Sequence, residues 1–198
     1  MGANVYLESV ASYGTVGTAT STTALTINIP GKSGERIAIR AFGFMAGGTV
    51  ENLYFMQSLG KTTLAAVVAS GGSILNLAGE PGVGTASLAV SDNICLVQDN
   101  GVYHFSVVGA KTGLSVITLC TVVTGAGAIG QKVYTLGVYS DSGHIVYPAT
   151  TVSVVNKEAI EGGIFYGTEK GSPMKVHEAS DATGVEEILY LTVDYINK

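Results

Sequence analysis

The sequence predicts an all-β protein, an antiparallel β-sandwich or barrel of jelly-roll-like type with long loops and an N-terminal arm. Three observations support this fold class. Short runs of alternating apolar and polar residues recur roughly every ten residues, and 27 glycines supply turns between them. No segment of ordinary helix length joins a capping residue to a stripe of apolar residues.

The strands are predicted from this alternation, in order along the chain. Residues 24–29 alternate up to a Pro-Gly pair, and residues 35–45 alternate over a longer run. An Ala-Gly-Gly turn at residues 46–48 predicts a hairpin that pairs this run with residues 50–57. The remaining predicted strands span residues 74–77, 87–90, 93–97, 102–108, 114–123, 133–139, 144–147, 151–155, 164–166, 174–178 and 187–195.

The clearest turn is Asp99-Asn100-Gly101, which lies between two strand-like runs. Asn-Gly readily adopts the positive backbone angles of a two-residue hairpin loop. The turn therefore predicts that residues 93–97 and 102–108 form an antiparallel hairpin.

The N-terminal segment differs from the rest in composition. Residues 14–23 consist of Gly, Thr, Val, Ala and Ser, with nothing large to bury. We therefore predict an N-terminal strand and flexible arm over residues 1–23. A single β-sandwich or barrel domain over residues 24–198 is expected to follow it.

Charge is scarce in this chain. Charged residues make up 13% of its 198 residues, about half the share of a typical globular protein. A surface so poor in charge tends to associate, so the composition indicates a component of a larger assembly. The net charge is −5 and the basic residues form no cluster, which argues against a surface for nucleic acid.

An uncharged run over residues 112–131 is long enough for a membrane helix. Its repeated Thr and Gly and its β-branched residues favour strands instead, so no membrane partner is expected. The N-terminus has neither a basic start nor an apolar core before Glu8, so we expect no signal peptide and folding in a reducing cytoplasm. Cys95 and Cys120 lie in strand-like runs and are interpreted as buried thiols, although the sequence leaves open whether they pair.

Gly60-Lys61-Thr62, followed by an apolar run, matches the second half of a phosphate-binding loop. The full signature places another Gly five residues before Gly60, but that position is Phe55. No convincing helix follows, so the helix dipole that helps to hold phosphate is missing. We interpret the segment as a turn and a buried strand. The Gly-Lys-Ser at residues 31–33 fails on the same grounds.

His104, His144 and His177 are the residues best suited to metal binding or acid–base chemistry. Each lies in or beside a different predicted strand, and none has another ligand at metal-binding spacing. No Gly-x-Ser-x-Gly elbow marks a nucleophile, and Asp141 and Asp181 lack a calcium-loop pattern. We therefore expect no catalytic residue, no cofactor-binding residue, no metal and no cofactor, and we do not expect an enzyme.

Residues 92–141 resemble the virion structural proteins of tailed bacteriophages, in particular small head proteins of the cement or decoration type. The shared features are a D-G-type turn before an aromatic-rich strand, then GL-x-x-x-T-L, and then a V-x-x-x-GV strand. The matching positions here are residues 99–105, Gly113-Leu114, Thr118-Leu119 and residues 133–138. The resemblance covers about a quarter of the chain.

The resemblance implies a β-rich protein on the outer surface of an icosahedral shell, often a homotrimer, with the major capsid protein as its partner. It implies a role in stabilising the head, and a location in the virion after synthesis in the host cytoplasm. The alternatives are a tail, fibre or receptor-binding module of the virion, and a secreted carbohydrate-binding β-sandwich. Short repeats or a coiled coil would favour a fibre, and clustered Trp would favour sugar binding, but the chain has no Trp.

Overall fold

A computed structural model of the chain describes residues 9–13, 18–20, 26–46, 51–83, 86–138, 144–147, 153–158, 166–179 and 185–197. Over these residues the chain forms strands, turns and irregular segments, with no helix. The prediction of an antiparallel all-β fold is confirmed, since every strand pair with a described register is antiparallel. Within these ranges no helix has the length and apolar character needed to cross a membrane.

Seventeen strands lie within the described ranges. In chain order they are β1 (Ser9–Tyr13), β2 (Thr18–Thr20), β3 (Thr26–Ile29), β4 (Arg36–Ala46), β5 (Glu51–Thr63), β6 (Ile74–Asn76), β7 (Gly82–Val83), β8 (Ala86–Ser87), β9 (Asn93–Val97), β10 (Tyr103–Thr112), β11 (Val116–Leu119), β12 (Lys132–Gly137), β13 (His144–Tyr147), β14 (Ser153–Glu158), β15 (Tyr166–Gly167), β16 (Met174–Ala179) and β17 (Val185–Ile196). The predicted bounds are met residue for residue at β9 and β13.

The strands fall into two compact units. The first contains residues 1–56 and 140–198, and the second contains residues 57–139. Strand β5 contributes to both units, because it begins at Glu51 and ends at Thr63.

The predicted N-terminal arm lies mostly outside the described residues. Two strands within residues 1–23, β1 and β2, pair with β17. Compact units do not by themselves decide how many domains a chain has. The arm over residues 1–23 and the single domain over residues 24–198 therefore stay predictions.

The first unit is a sandwich of two sheets. One sheet has the order β1-β17-β4-β14, with β2 also paired to β17 and β15 to β4. The other joins β3, β16 and the first part of β5, which also pairs with β13. Side chains from both sheets form one core, in which the ring centroids of Phe42 and Phe55 are 5.2 Å apart. Its buried members are Ile27, Ile29, Ile37, Ile39, Phe42, Phe55, Met174, Val176, Leu191 and Val193.

The predicted hairpin between β4 and β5 is wrong. Strand β4 pairs with β17 at ten positions and with β14 at six, whereas β5 belongs to the other sheet. A hairpin prediction uses only local turn chemistry. Here β17, distant in sequence, offers β4 an antiparallel partner along its whole length.

The second unit is a small barrel. Its sheet has the order β5-β12-β9-β10-β11-β6, with antiparallel neighbours throughout. The two outer strands then meet, because Leu64 at the end of β5 forms a bridge with Leu77 at the end of β6. A main-chain hydrogen bond of 2.8 Å from Ala65 N to Asn76 O supports the bridge. Ala78 N also donates to Thr63 O at 2.8 Å, so the ends of β5 and β6 are joined by main-chain hydrogen bonds.

Aliphatic side chains fill the interior of the barrel. Alternate residues of each strand point inward, as the pleat of a closed sheet requires. The buried core consists of Leu64, Val68, Leu75, Leu77, Leu88, Ile94, Leu96, Val108, Ile117, Leu119, Val123 and Val133. Both architectures anticipated from the sequence, sandwich and barrel, thus occur in this chain.

The predicted hairpin between β9 and β10 is confirmed, with Val97 opposite Tyr103. Its turn differs from the expected two-residue loop. Gln98 N donates to Val102 O at 2.9 Å, and only Gly101 in this turn has a positive φ, 78°. This is the three-residue loop in which a type I turn ends in a left-handed Gly.

Candidate functional site

Three connections meet at one end of the barrel. Neighbouring strands of the barrel run in opposite directions, so β5, β9 and β11 all point the same way. The links that follow them, from β5 to β6, from β9 to β10 and from β11 to β12, therefore lie at the same end. We call the segments they form, residues 64–74, 98–102 and 120–131, the cap. The cap contains 28 residues.

Hydrogen bonds hold the cap segments to one another. Val68 and Gly127 exchange two main-chain hydrogen bonds of 2.9 Å each. Gly71 N donates to Val123 O, and Val123 N donates to Gly72 O, both at 2.8 Å. The side chains of Val68 and Val123 belong to the barrel core. The cap is therefore a fixed surface that closes the barrel.

Asp99 is the one charged residue of the cap. Its Oδ1 accepts hydrogen bonds from Ala128 N at 2.8 Å and from Gln131 Nε2 at 2.9 Å. Its main-chain N–H donates to Ala126 O at 2.9 Å. The carboxylate is thus used to fasten the hairpin turn to the segment beside it.

Five large aliphatic side chains of the cap are exposed to solvent. Their exposed fractions run from 50% to 66%, and they are Val67, Ile74, Val102, Val122 and Ile129. A stretch of 28 residues with average composition would carry about seven charged residues, whereas the cap carries one. Several exposed aliphatic side chains on a surface with so little charge are characteristic of interaction sites. Two further exposed aliphatic residues, Val90 and Leu114, lie in connections at the opposite end of the barrel.

A short chain of hydroxyl groups links His104 to the cap. Thr121 Oγ1 donates to Ser106 Oγ at 2.7 Å and lies 3.3 Å from His104 Nε2. Ser106 Oγ in turn donates to Val107 O at 3.4 Å. Thr121 Oγ1 thus lies between His104 and Ser106, and the ring tautomer decides whether His104 Nε2 donates or accepts in this contact.

The geometry of this cluster differs from that of an activated serine. Burial lowers the pKa of His104, and a hydrogen bond to the main chain of Thr121 opposes that change. An activated serine has a base in direct hydrogen-bond contact with its hydroxyl, whereas here Thr121 Oγ1 lies between His104 Nε2 and Ser106 Oγ. The His104 cluster therefore anchors the cap to the barrel wall.

The Gly-Lys-Thr segment is part of a strand. Gly60, Lys61 and Thr62 pair with β12 inside β5, so the expected turn at this position is wrong. Thr135 Oγ1 donates to Gly82 O at 2.7 Å, and it also lies 3.2 Å from Gly60 O. A Cβ atom on Gly60 would lie 2.0 Å from Gly82 O. Gly60 is needed for this close approach of two backbones.

The second near match, at residues 31–33, lies in a turn. Glu35 N donates to Lys32 O at 3.0 Å, and Gly34 has a φ of 79°. Lys32 Nζ lies 2.6 Å from Glu35 Oε1, so the lysine is paired with a carboxylate. Both Gly-Lys segments are accounted for without a phosphate ligand.

The two cysteines are both free. Cys95 is buried in β9, and burial raises the pKa of its thiol well above the usual value. Cys120 is exposed in the cap, so the expectation of two buried thiols is wrong for it. The predicted strand over residues 114–123 ends early, at Leu119, and Cys120 follows where the chain leaves the sheet.

The other two histidines lie in β13 and β16, and the side chains of His144 and His177 are outside the described part of the chain. Asp141 and Asp181 are outside it altogether. Within the described part, no three His, Cys, Asp or Glu residues are grouped as a metal site would require.

Sequence reasoning missed the cap as a surface. Its separate parts were visible as two long uncharged runs, residues 62–79 and 112–131. Only the order of strands in the barrel shows that these runs meet. A search for uncharged runs in connections that emerge at the same end of a sheet would have found it.

Comparisons with known proteins give little further information. No protein-family model matches this sequence, and no curated protein matches it. Among solved structures, the chain is similar to the VP2 subviral particle of infectious bursal disease virus, with 10% identity and a TM-score of 0.13. The match covers 96% of this chain and 41% of the viral chain. A likeness this slight carries no argument about fold or function.

Proposed function

We propose that this protein is a structural component of a virion, and that it binds the outer surface of a tailed-bacteriophage head and stabilises it. The observation that carries the proposal is the cap, a hydrogen-bonded, almost charge-free surface with five exposed aliphatic side chains. Its chemistry suits packing against protein, since apolar side chains gain free energy when water is excluded. The main-chain groups that bond within the cap already have partners, so their burial costs little.

The sequence resemblance supports the choice of assembly. Residues 92–141, which carry it, include β9 to β12 and two of the three cap segments in full. Proteins of the decoration type act in many copies, so each contact can be modest while the shell as a whole gains stability. A small barrel that presents an uncharged surface meets that requirement.

Head binding tests the proposal directly. The purified protein is mixed with empty heads assembled from the major capsid protein of the same genome, and the heads are sedimented. We expect saturable binding, symmetric density on the outer surface of the shell, and heads that withstand higher temperature. Protein that stays in the supernatant at every concentration would overturn the proposal. If the protein instead sedimented with purified tails, or bound glycans, the tail-module or carbohydrate-binding alternative would replace it.

A further inference from the structure

We infer that one outer face of the barrel binds an acidic saccharide through its carboxylate groups. The face lies on four neighbouring strands, β5, β12, β9 and β10. We call it the lysine face, and the members that carry the argument are Lys61, Thr63, Tyr103, Phe105, Lys132 and Tyr134. The lysine face contains no residue of the cap, so its binding is measured independently of head binding.

The register of the strands shows that these side chains point away from the barrel core. Val133 belongs to that core, so its neighbour Tyr134 faces outward. Lys61 lies directly opposite Tyr134 on β5. Cys95 on β9 lies opposite both Tyr134 and Phe105. Residues opposite each other share one face of a sheet, so Lys61 and Phe105 also face outward.

A second row of side chains lies beside the first. Lys132 and Thr63 are opposite each other, and each is two residues from a member of the first row, as Tyr103 is from Phe105. Lys61 and Lys132 are therefore diagonal neighbours across β5 and β12, with Cα atoms about 7–8 Å apart. Both lysines are exposed, and Thr63, Tyr103 and Phe105 are half-buried. One short ligand can thus reach both lysines.

The carboxylates of the barrel unit are used elsewhere. Residues 57–139 contain three lysines and three acidic residues, so the net charge of −5 comes from the rest of the chain. Glu80 pairs with the third lysine, Lys111. Asp92 accepts a hydrogen bond of 2.7 Å from Ala89 N, and Asp99 bonds within the cap. The lysine face thus offers an anion two positive charges that none of these carboxylates neutralises.

The aromatic side chains beside the lysines indicate the class of anion. Tyr103 and Phe105 place two half-buried rings next to each other along β10. The C–H face of a sugar ring packs on such rings, and an aromatic ring contributes a large apolar contact area. Each lysine forms a charge-assisted hydrogen bond with a carboxylate. The strongly exposed aliphatic side chains of the described residues lie outside this face, which favours a polar ligand over a protein surface.

A nucleic acid fits this face less well than a saccharide does. Its affinity comes from neutralising many closely spaced phosphates, whereas the lysine face supplies two positive charges. The rest of the chain is acidic and repels a long polyanion. A short saccharide with separated carboxylates meets the two lysines and brings few further charges near the acidic remainder.

Titration followed by NMR of the main-chain amides tests the inference. The ligands are a tetramer of galacturonic acid and its methyl ester, which has the same sugar rings without the charges. We expect the acid to shift the amide signals of β5, β12, β9 and β10, and to bind roughly tenfold more tightly than the ester. Added salt should weaken binding of the acid and leave that of the ester unchanged.

The variant Lys61→Gln/Lys132→Gln should bind the acid no better than the ester. Both replaced side chains are exposed, so the variant should keep its fold. Lys170→Gln is the matched control, because it removes an exposed lysine from the other unit, and it should bind the acid as the wild type does. Lys61→Arg/Lys132→Arg keeps both charges and should retain the preference for the acid. If the glutamine variant does not fold, the acid–ester comparison on the wild type decides.

Four results would overturn the inference. The acid could leave the amide signals of the four strands unchanged at millimolar concentration, or the acid and the ester could bind equally. The glutamine variant could bind the acid as tightly as the wild type does. An oligomer of thymidylate could bind more tightly than the acid, which would make the lysine face a surface for nucleic acid. Head binding stands or falls on its own measurement in each case.

Discussion

Replacement of Gly60 by Ala should destabilise the barrel strongly. The new Cβ would lie 2.0 Å from Gly82 O and 3.0 Å from Thr135 Oγ1. Ordinary van der Waals contact begins at 3.4 Å, so the backbone at Gly82 must move by about 1.4 Å, the difference between those distances. Both atoms in the way are fixed, since one is a main-chain carbonyl and the other belongs to a fully buried side chain.

The cost of this substitution has three parts. Overpacking of a well-packed site costs about 1–3 kcal/mol. Loss of the buried hydrogen bond from Thr135 to Gly82 adds about 1 kcal/mol. Alanine also restricts the unfolded chain more than glycine does, which stabilises the folded protein by about 0.5 kcal/mol. The free energy of unfolding should therefore fall by about 1.5–3.5 kcal/mol.

Urea unfolding followed by far-UV circular dichroism measures the change. Gly79→Ala is the matched control, because a Cβ there meets nothing within 4 Å and its φ is not positive. We expect that control to stay within about 0.5 kcal/mol of the wild type. Equal unfolding midpoints for the Gly60 and Gly79 variants would refute the close approach of β5 to β7 and the barrel packing built on it.

Three further predictions concern the same unit. Lys111→Met removes an ion pair with Glu80 and a 2.7 Å hydrogen bond to Leu88 O, so the free energy of unfolding should fall by about 1–2 kcal/mol; an unchanged urea midpoint would contradict this. The pKa of His104 is lowered by burial, so the unfolded state binds a proton more readily than the native state. The native state should therefore lose stability as pH falls through about 6.5, the pKa of His104 in the unfolded chain. The variant His104→Asn should lose less stability than the wild type between pH 7 and pH 5. Equal losses in the two proteins would disprove the lowered pKa of His104. Asp99→Ala should speed hydrogen exchange at Ala128 N by roughly tenfold, whereas Asp99→Asn, which keeps an acceptor oxygen, should speed it far less. Equal exchange rates in the two variants would show that the carboxylate does not hold the cap together.

Local signals in the sequence predicted the parts of the fold that depend on neighbouring residues. Strand β9 is bounded by turn residues on both sides, and its hairpin with β10 follows from Asn100-Gly101. Alternation and the lack of helix signals were enough to assign the class. The core side chains that lie in strands, such as Ile94 and Leu96 of β9, follow from their apolar character, whereas Val68 and Val123 of the cap do not follow from strand alternation.

Pairings between distant segments could not be predicted. The sequence near β4 favoured a hairpin with β5, yet β17 is the long partner of β4. Closure of the barrel depends on Leu64 and Leu77, whose bridge has no signature in either segment. Cys120 was placed in a strand because Val122 and Val123 favour extended structure, whereas Val123 in fact bonds to Gly72 within the cap.

The rate at which a thiol reagent labels Cys120 tests the role of the cap most directly. Cys120 is exposed in the cap of one isolated chain, and Cys95 is buried, so the labelling reports on one site. We predict slow labelling when the protein is bound to empty heads, and fast labelling of free protein at the same concentration. Labelling at one fast rate in both samples would contradict the assignment of the cap as an assembly surface.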